Sequence, residues 1–233
     1  MSRRSLRAAI AGIGLVALLA GACAGGHGSA PKANAEVLLQ RAKATIDAAQ
    51  SAHFVLTSQG ASGGGTKITG GEGDLARPDQ LQGSFTVSIG GFNANVKVVS
   101  KGGVFAAQLP FQSKYTRTDP ARFGLTDPSR LLDPDHGLSS LLTAGTGAMV
   151  TGQERLAGEL LYEVTSTVPG SSVPVLPNDN PSQPVTMVAA INPNNYQLRQ
   201  ITLTGPFTSS NDSTYVVTLT KYNEPVTISL PPL

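Results

Sequence analysis

Ser62 lies in Gly60-Ala61-Ser62-Gly63-Gly64, the GxSxG spacing that in hydrolases sets a nucleophilic serine on a sharp turn between a strand and a helix. That chemistry needs the helix, yet Thr66-Lys67-Ile68-Thr69 follows with strand alternation, so the segment is expected to be a hairpin loop. Gly71-Glu72-Gly73-Asp74-Leu75-Ala76 fits the loose dinucleotide pattern GxGxxA, but Arg77-Pro78 stands where a long helix should open. The match therefore has no structural context. The histidines His27, His53 and His136 come with neither HExxH nor a cysteine cluster, which argues against a metal site. Asp133 and Asp135 beside His136 offer acid–base groups, but carboxylates at a helix start are favoured by the helix dipole and no nucleophile accompanies them. The chain is accordingly expected to hold no catalytic constellation, no metal and no cofactor.

Cys23 is different because it is the one cysteine of the chain. Arg3, Arg4 and Arg7 precede the uncharged run Ala8 to Ala20, which is too short to span a bilayer and has the layout of an export signal. The run ends in Leu19-Ala20-Gly21-Ala22-Cys23, similar to a bacterial lipobox, with Ala20 where Leu is usual and Leu19 one place earlier. This implies a diacylglyceryl thioether (palmitate-type chains) on Cys23, cleavage before it and a lipid-anchored protein on the outer face of the plasma membrane. The alternative is a plain secretory signal with an incidental cysteine. Ser2-Arg3-Arg4 leaves the choice between general and twin-arginine export open. The boundaries that follow are 1–22 signal peptide, 23–34 acylated terminus and Gly/Ser/Ala/Pro-rich tether, and 35–233 a single domain.

The 233 residues, 40% hydrophobic and 14% charged, suffice for one sizeable core, and the scattered 26 Gly and 16 Pro exclude collagen-like or coiled-coil designs. Removing residues 1–22, with three arginines and no acid, leaves 17 − 3 = 14 basic against 15 acidic residues. A near-neutral domain has no nucleic-acid footprint.

Within it, Asn34 is a plausible cap for a helix that places Leu38, Leu39, Ala42, Ile46 and Ala49 on one stripe. The period then shortens to two through Phe54–Thr57, Lys67–Thr69, Phe85–Ile89, Asn95–Val98 and Val104–Ala106. Asp127-Pro128 and Asp133-Pro134 read as helix starts, the second leading to Leu138, Leu141 and Leu142 and closed by Gly145. Further strands are expected over Glu163–Thr165, Val185–Ile191, Arg199–Thr204, Tyr215–Lys221 and Val226–Leu230, with a Pro-rich loop from Pro169 to Pro184. This is an α+β order with an antiparallel sheet and helices on one face. The alternating apolar positions Phe54, Leu56, Leu81, Phe85, Val87, Ile89, Val96 and Val98, with Leu138, Leu141 and Leu142, are the candidate lining of that face, while Ser84, Thr86 and Ser88 point away.

Five stretches in this order resemble the mycobacterial LppX/LprA/LprF/LprG lipoprotein family: Ser51 to Thr57, Gly71 to Leu75, Ser129 to Leu138, Val168 to Val173, and Lys221 to Val226. The chain departs from it in having Tyr222 where Trp is common, no Trp anywhere, and its own loop from Pro174 to Pro184. The resemblance implies a strongly bent antiparallel half-barrel with helices over the concave face, enclosing a hydrophobic cavity. It also implies a carrier of acyl chains of envelope lipids or glycolipids such as phosphatidylinositol mannosides, triacylglycerol or phthiocerol diesters, served by a transporter partner. An anchored scaffold with a packed core, or a lipid hydrolase, are the competing readings.

Overall fold

The computed structural model describes residues 34–60, 66–123, 126–173, 176, 178, 180–208 and 211–233. The expected signal segment, Cys23, the expected tether with His27, and Ser62 lie outside the described residues. The Asn34 side chain accepts from the Val37 backbone N–H at 3.2 Å and starts α1 (Ala35–Ala48). Its predicted stripe of Leu38, Leu39, Ala42, Ile46 and Ala49 is buried.

Two antiparallel meanders follow. The first is β1 (Ser51–Gln59), β2 (Thr66–Ala76), β3 (Gln80–Ile89), β4 (Phe92–Lys101), β5 (Val104–Gln108) and β6 (Thr116–Arg117). The second is β7 (Thr146–Leu156), β8 (Glu159–Pro169), β9 (Pro184–Ile191), β10 (Leu198–Thr208) and β11 (Asn211–Thr220). Pairing of β1 with β11 fuses them into one 11-stranded sheet, order β6-β5-β4-β3-β2-β1-β11-β10-β9-β8-β7, with β6 and β7 left as its two edges. The sheet is strongly bent and does not close into a barrel.

Part of the bend is written in glycine. Gly73 on β2 faces Phe54 on one side and Gly83 of β3 on the other, and a Cβ on Gly73 would come within 2.2 Å of the Gln82 carbonyl oxygen and 3.0 Å of the Phe54 ring. Only hydrogen at that position lets β2 and β3 coil this tightly while the Phe54 and Phe85 rings, 5.8 Å apart, lie over the bare backbone. Bulges at Ile68/Gly70, Leu198/Gln200 and Gly205/Thr208 add curvature elsewhere.

Short helical pieces cover the inner face. α1 packs on β7 to β10, α2 (Leu141–Ala144) on β8, and a 3₁₀ turn over Pro128–Leu132 on β2, β3 and β4. Asp127 caps that turn by accepting from the Ser129 N–H at 3.0 Å, with Pro128 at the first position as the sequence predicts. Asp47 ties α1 to the rest of the cover: it accepts from Lys43 Nζ at 2.9 Å and from Ser139 Oγ at 2.6 Å, and Lys43 also donates to the Pro134 carbonyl at 2.7 Å.

Two expectations are corrected. Asp133-Pro134 opens no helix, because the Asp133 carboxylate accepts from the backbone N–H of both Asp135 and His136 at 2.9 Å and folds the chain into a turn. His136 is thus an exposed turn residue, and helical geometry resumes only at Leu138. Val226–Leu230 forms no strand: β11 is already paired on both sides, so the tail runs along the domain with Ile228 buried and its carbonyl accepting from Lys101 Nζ at 2.7 Å. The long edge strand β7 carries no predictable alternation because shifts at Thr146/Met149 and Val150/Gly152 break its period and most of it is exposed.

Candidate functional site

Alternation on the strands sends Phe54 and Leu56 of β1, Leu81, Phe85 and Val87 of β3, and Val96 and Val98 of β4 to the same concave face. Leu138, Leu141 and Leu142 come down on it from the cover. All ten are buried in one contiguous apolar cluster, Leu81 and Leu141 to 0% exposure. The eleventh expected residue, Ile89, ends β3 opposite Thr66, and its side chain lies outside the described set.

The sequence reading covered only half of this surface. The same cluster continues through Met187 and Ile191 of β9, Ile201, Leu203 and Phe207 of β10, and Tyr215 and Val217 of β11. The period-two pattern of Val185–Ile191 and Arg199–Thr204 was the signal that could have added them. Phe207 and Tyr215 meet edge to face at 5.2 Å.

The cluster reaches the surface at a cleft between α1, α2 and the start of β7. Leu39 and Leu142 form its floor, Glu36, Gln40 and Thr143 its polar rim, and Gly145 to Ala148 its far wall, around about 400 Å³. Small residues keep this wall thin. Just inside it, Ser166 of β8 is buried, and its hydroxyl has no hydrogen-bond partner among the described residues. A Cβ on Gly145 would stand 2.9 Å from that oxygen. A donor lying between Val164 and Val168 on a largely apolar face is suited to an ester or amide carbonyl.

The residues with chemical potential lie elsewhere. His53 is on the convex face, where Nδ1 sits 2.8 Å from Asp74 Oδ1 and Gln82 donates to the other carboxylate oxygen at 3.2 Å. Burial raises the Asp74 pKa, but the His53 and Gln82 bonds outweigh it and hold the carboxyl below its usual value. His53 and Asp74 are direct cross-strand partners, so the pair fastens β1 to β2. The GxGxxA stretch, Gly71 to Ala76, is the body of β2. The strands flanking Ser62, β1 and β2, pair antiparallel, with no helix beginning at Thr66.

Comparison with known proteins matches residues 34–228 to the model of the LppX_LprAFG lipoprotein family. The lipoarabinomannan carrier protein LprG of Mycobacterium tuberculosis H37Rv is 27% identical over 231 residues, covering 97% of this chain and 95% of that one. Its Mycobacterium leprae counterpart is 28% identical over 226 residues, covering 92% and 90%. Among solved structures, LprF from Mycobacterium bovis superposes with a TM-score of 0.70 at 17% identity, over 84% of this chain and 96% of that chain. LppX from Mycobacterium tuberculosis gives 0.61 at 18%, over 83% and 97%.

Proposed function

This chain belongs to the LppX_LprAFG lipoprotein family, and from that footing we propose that it is a membrane-anchored lipid carrier that takes acyl chains onto the concave face of its sheet and helps move them across the cell envelope. The observation that carries this reading is the continuity of the apolar cluster with the cleft at Leu39 and Leu142. It gives a water-excluding face a doorway. Phe54, Leu56, Leu81, Phe85, Val87, Ile89, Val96, Val98, Leu138, Leu141 and Leu142 line the acyl site in this reading, and the Ser166 hydroxyl meets an ester near the entrance. Each methylene moved from water to such a face is worth about 0.8 kcal/mol, but a bilayer shelters it equally well, so the carrier needs only to match the membrane and then release.

The cargo class is an acylated envelope lipid or glycolipid. The name of the LprG relatives favours a lipoarabinomannan-type glycolipid, with phosphatidylinositol mannoside, triacylglycerol and phthiocerol diesters as the alternatives. No bond is made or broken in carriage, so no catalytic group is assigned. Cys23 is the proposed anchor, and a transporter in the same membrane the proposed partner. Solvent extraction of the mature protein from an actinobacterial host, followed by mass spectrometry, tests the carrier: stoichiometric acyl lipid is expected, and its repeated absence would leave an anchored scaffold with a packed core. Cys23→Ser should shift the protein from the membrane to the soluble or secreted fraction without unfolding it, and an unchanged fractionation would refute the anchor.

A further inference from the structure

The register of the sheet places five of its exposed large apolar residues at one end. Ile89 and Phe92 pair across the β3–β4 hairpin, and Gln108 of β5 pairs with Lys97 of β4 running toward Phe92, so Leu109 and Phe111 follow to that same end. On the other side of the sheet, β7 starts there, since Thr146 pairs with Thr167 of β8, Pro169 with Pro184, Thr186 with Thr204, Thr214 with Gln59, and Thr66 with Ile89. Met149 and Val150 therefore belong to it as well. Phe92 is 82% exposed, and Phe111 is fully exposed, held outward by a backbone at φ 65° that bulky residues seldom adopt.

Charge and connectivity single out the same end. From Gln80 to Thr118 the chain has no acidic residue, while Lys114 follows Phe111 in the loop and Lys97 and Arg117 stand behind on β4 and β6. Acids at this end, Glu36 and Asp212, lie on the α1 and β11 side. The first turns of α1 border Thr146 to Ala148, so the polypeptide enters the domain at this end and next to the cleft. Fully extended, the segment from Cys23 to Asn34 reaches at most about 40 Å.

We propose that this end of the sheet docks on the lipid bilayer, with Phe92 and Phe111 inserted below the headgroups and Lys114 at headgroup depth, so that the Leu39–Leu142 cleft is held at the membrane surface. Exposed aromatic tips backed by cations are the chemistry of an interfacial anchor, and patches of this kind on a soluble domain mark an interaction site. The proposal takes from the anchored-carrier reading only the identity of the bilayer within reach.

The chain has no tryptophan, so Phe92→Trp and Phe111→Trp each supply a single fluorophore. The mature acylated protein is reconstituted into phosphatidylcholine–phosphatidylglycerol vesicles whose acyl chains are brominated. Quenching by bromine and loss of iodide access are expected at both positions, and neither at Leu160→Trp, on β8 at the opposite end. Unchanged iodide access at Phe92→Trp and Phe111→Trp overturns the proposal. So does a vesicle-independent blue shift that grows with protein concentration, which would seat a second copy of the chain on this surface. Phe92→Ser/Phe111→Ser should slow vesicle-to-vesicle lipid transfer at least tenfold with co-purified lipid unchanged. If no variant carries lipid, the carrier reading fails while the bromine result still decides docking.

Discussion

Replacing Ala148 by Trp tests whether acyl chains enter between α1 and β7. Ala148 is half-buried on the cleft wall and packs against the edge of the apolar cluster, facing Glu36, Leu39 and Gln40. An indole there can lie on Leu39 and Leu142 and remove roughly 100 Å² of apolar surface from water, worth about 2.5 kcal/mol at about 25 cal/mol/Å². The cleft would then stand open in about one molecule in 70. Lipid uptake from vesicles, followed by loss of self-quenching of a fluorescent acyl lipid, should slow 10- to 100-fold. Because the substitution adds contacts on an edge strand, the melting temperature should hold or rise. An uptake rate within twofold of the parent, with the melting temperature raised by the docked indole, would refute entry at this cleft and move the doorway elsewhere. A lowered melting temperature would show that the indole does not seat on Leu39, which contradicts the geometry used here.

Gly73→Ala drives a methyl to 2.2 Å from the Gln82 carbonyl oxygen, so β2 and β3 must separate; a loss of about 1–3 kcal/mol is expected in urea unfolding, with Ala52→Gly as the small-residue control on β1. The Asp133 carboxyl is raised by burial but held down to about 2 by the His136 and Asp135 N–H groups and by Arg130. A folded value below the unfolded 3.8 means its stabilisation, about 1–2 kcal/mol, is complete above pH 4 and lost as pH falls toward 2; Asp133→Asn should flatten that part of the acid unfolding curve. Tyr222 donates to the Leu198 carbonyl at 2.6 Å, and Tyr222→Phe should cost about 1 kcal/mol by leaving that oxygen unpaired, measured by thermal unfolding.

What the sequence made legible follows the strength of each local signal. α1 was readable because its cap and its apolar stripe agree, and β3 because Leu81, Phe85 and Val87 alternate with Gln82, Ser84 and Thr86, Gly83 alone leaving an inward position bare. The kink that turns this pattern into a concave face was not readable. Gly73 and Gly83 are unremarkable in a chain with 26 glycines, and only their pairing across β2 and β3 reveals why each must lack a side chain. β7 was hidden because an exposed, bulged edge strand obeys no period, and so the cleft wall that it supplies was hidden too. Asp133 misled because the Asp-Pro signature is shared by helix starts and by turns that a carboxylate closes on its own backbone.

The energetic demands on a carrier also explain how the two layers divide the work. The sheet is held by ladders along eleven strands, and filling its concave face with a ligand need not disturb them. The cover consists of one full helix, a four-residue helix and 3₁₀ turns, fixed chiefly by apolar contact and by the polar clasp among Lys43, Asp47, Ser139 and the Pro134 carbonyl. That clasp sits at the last turns of α1, whereas the cleft opens at the first. On the proposed reading, an acyl chain entering beside Leu39 would part the cover from the sheet at the end farthest from the clasp, exchanging side-chain contacts on Leu142 for methylene contacts of similar worth. The charged groups of the clasp would stay paired, so the cost of opening would be apolar and returned by the ligand itself.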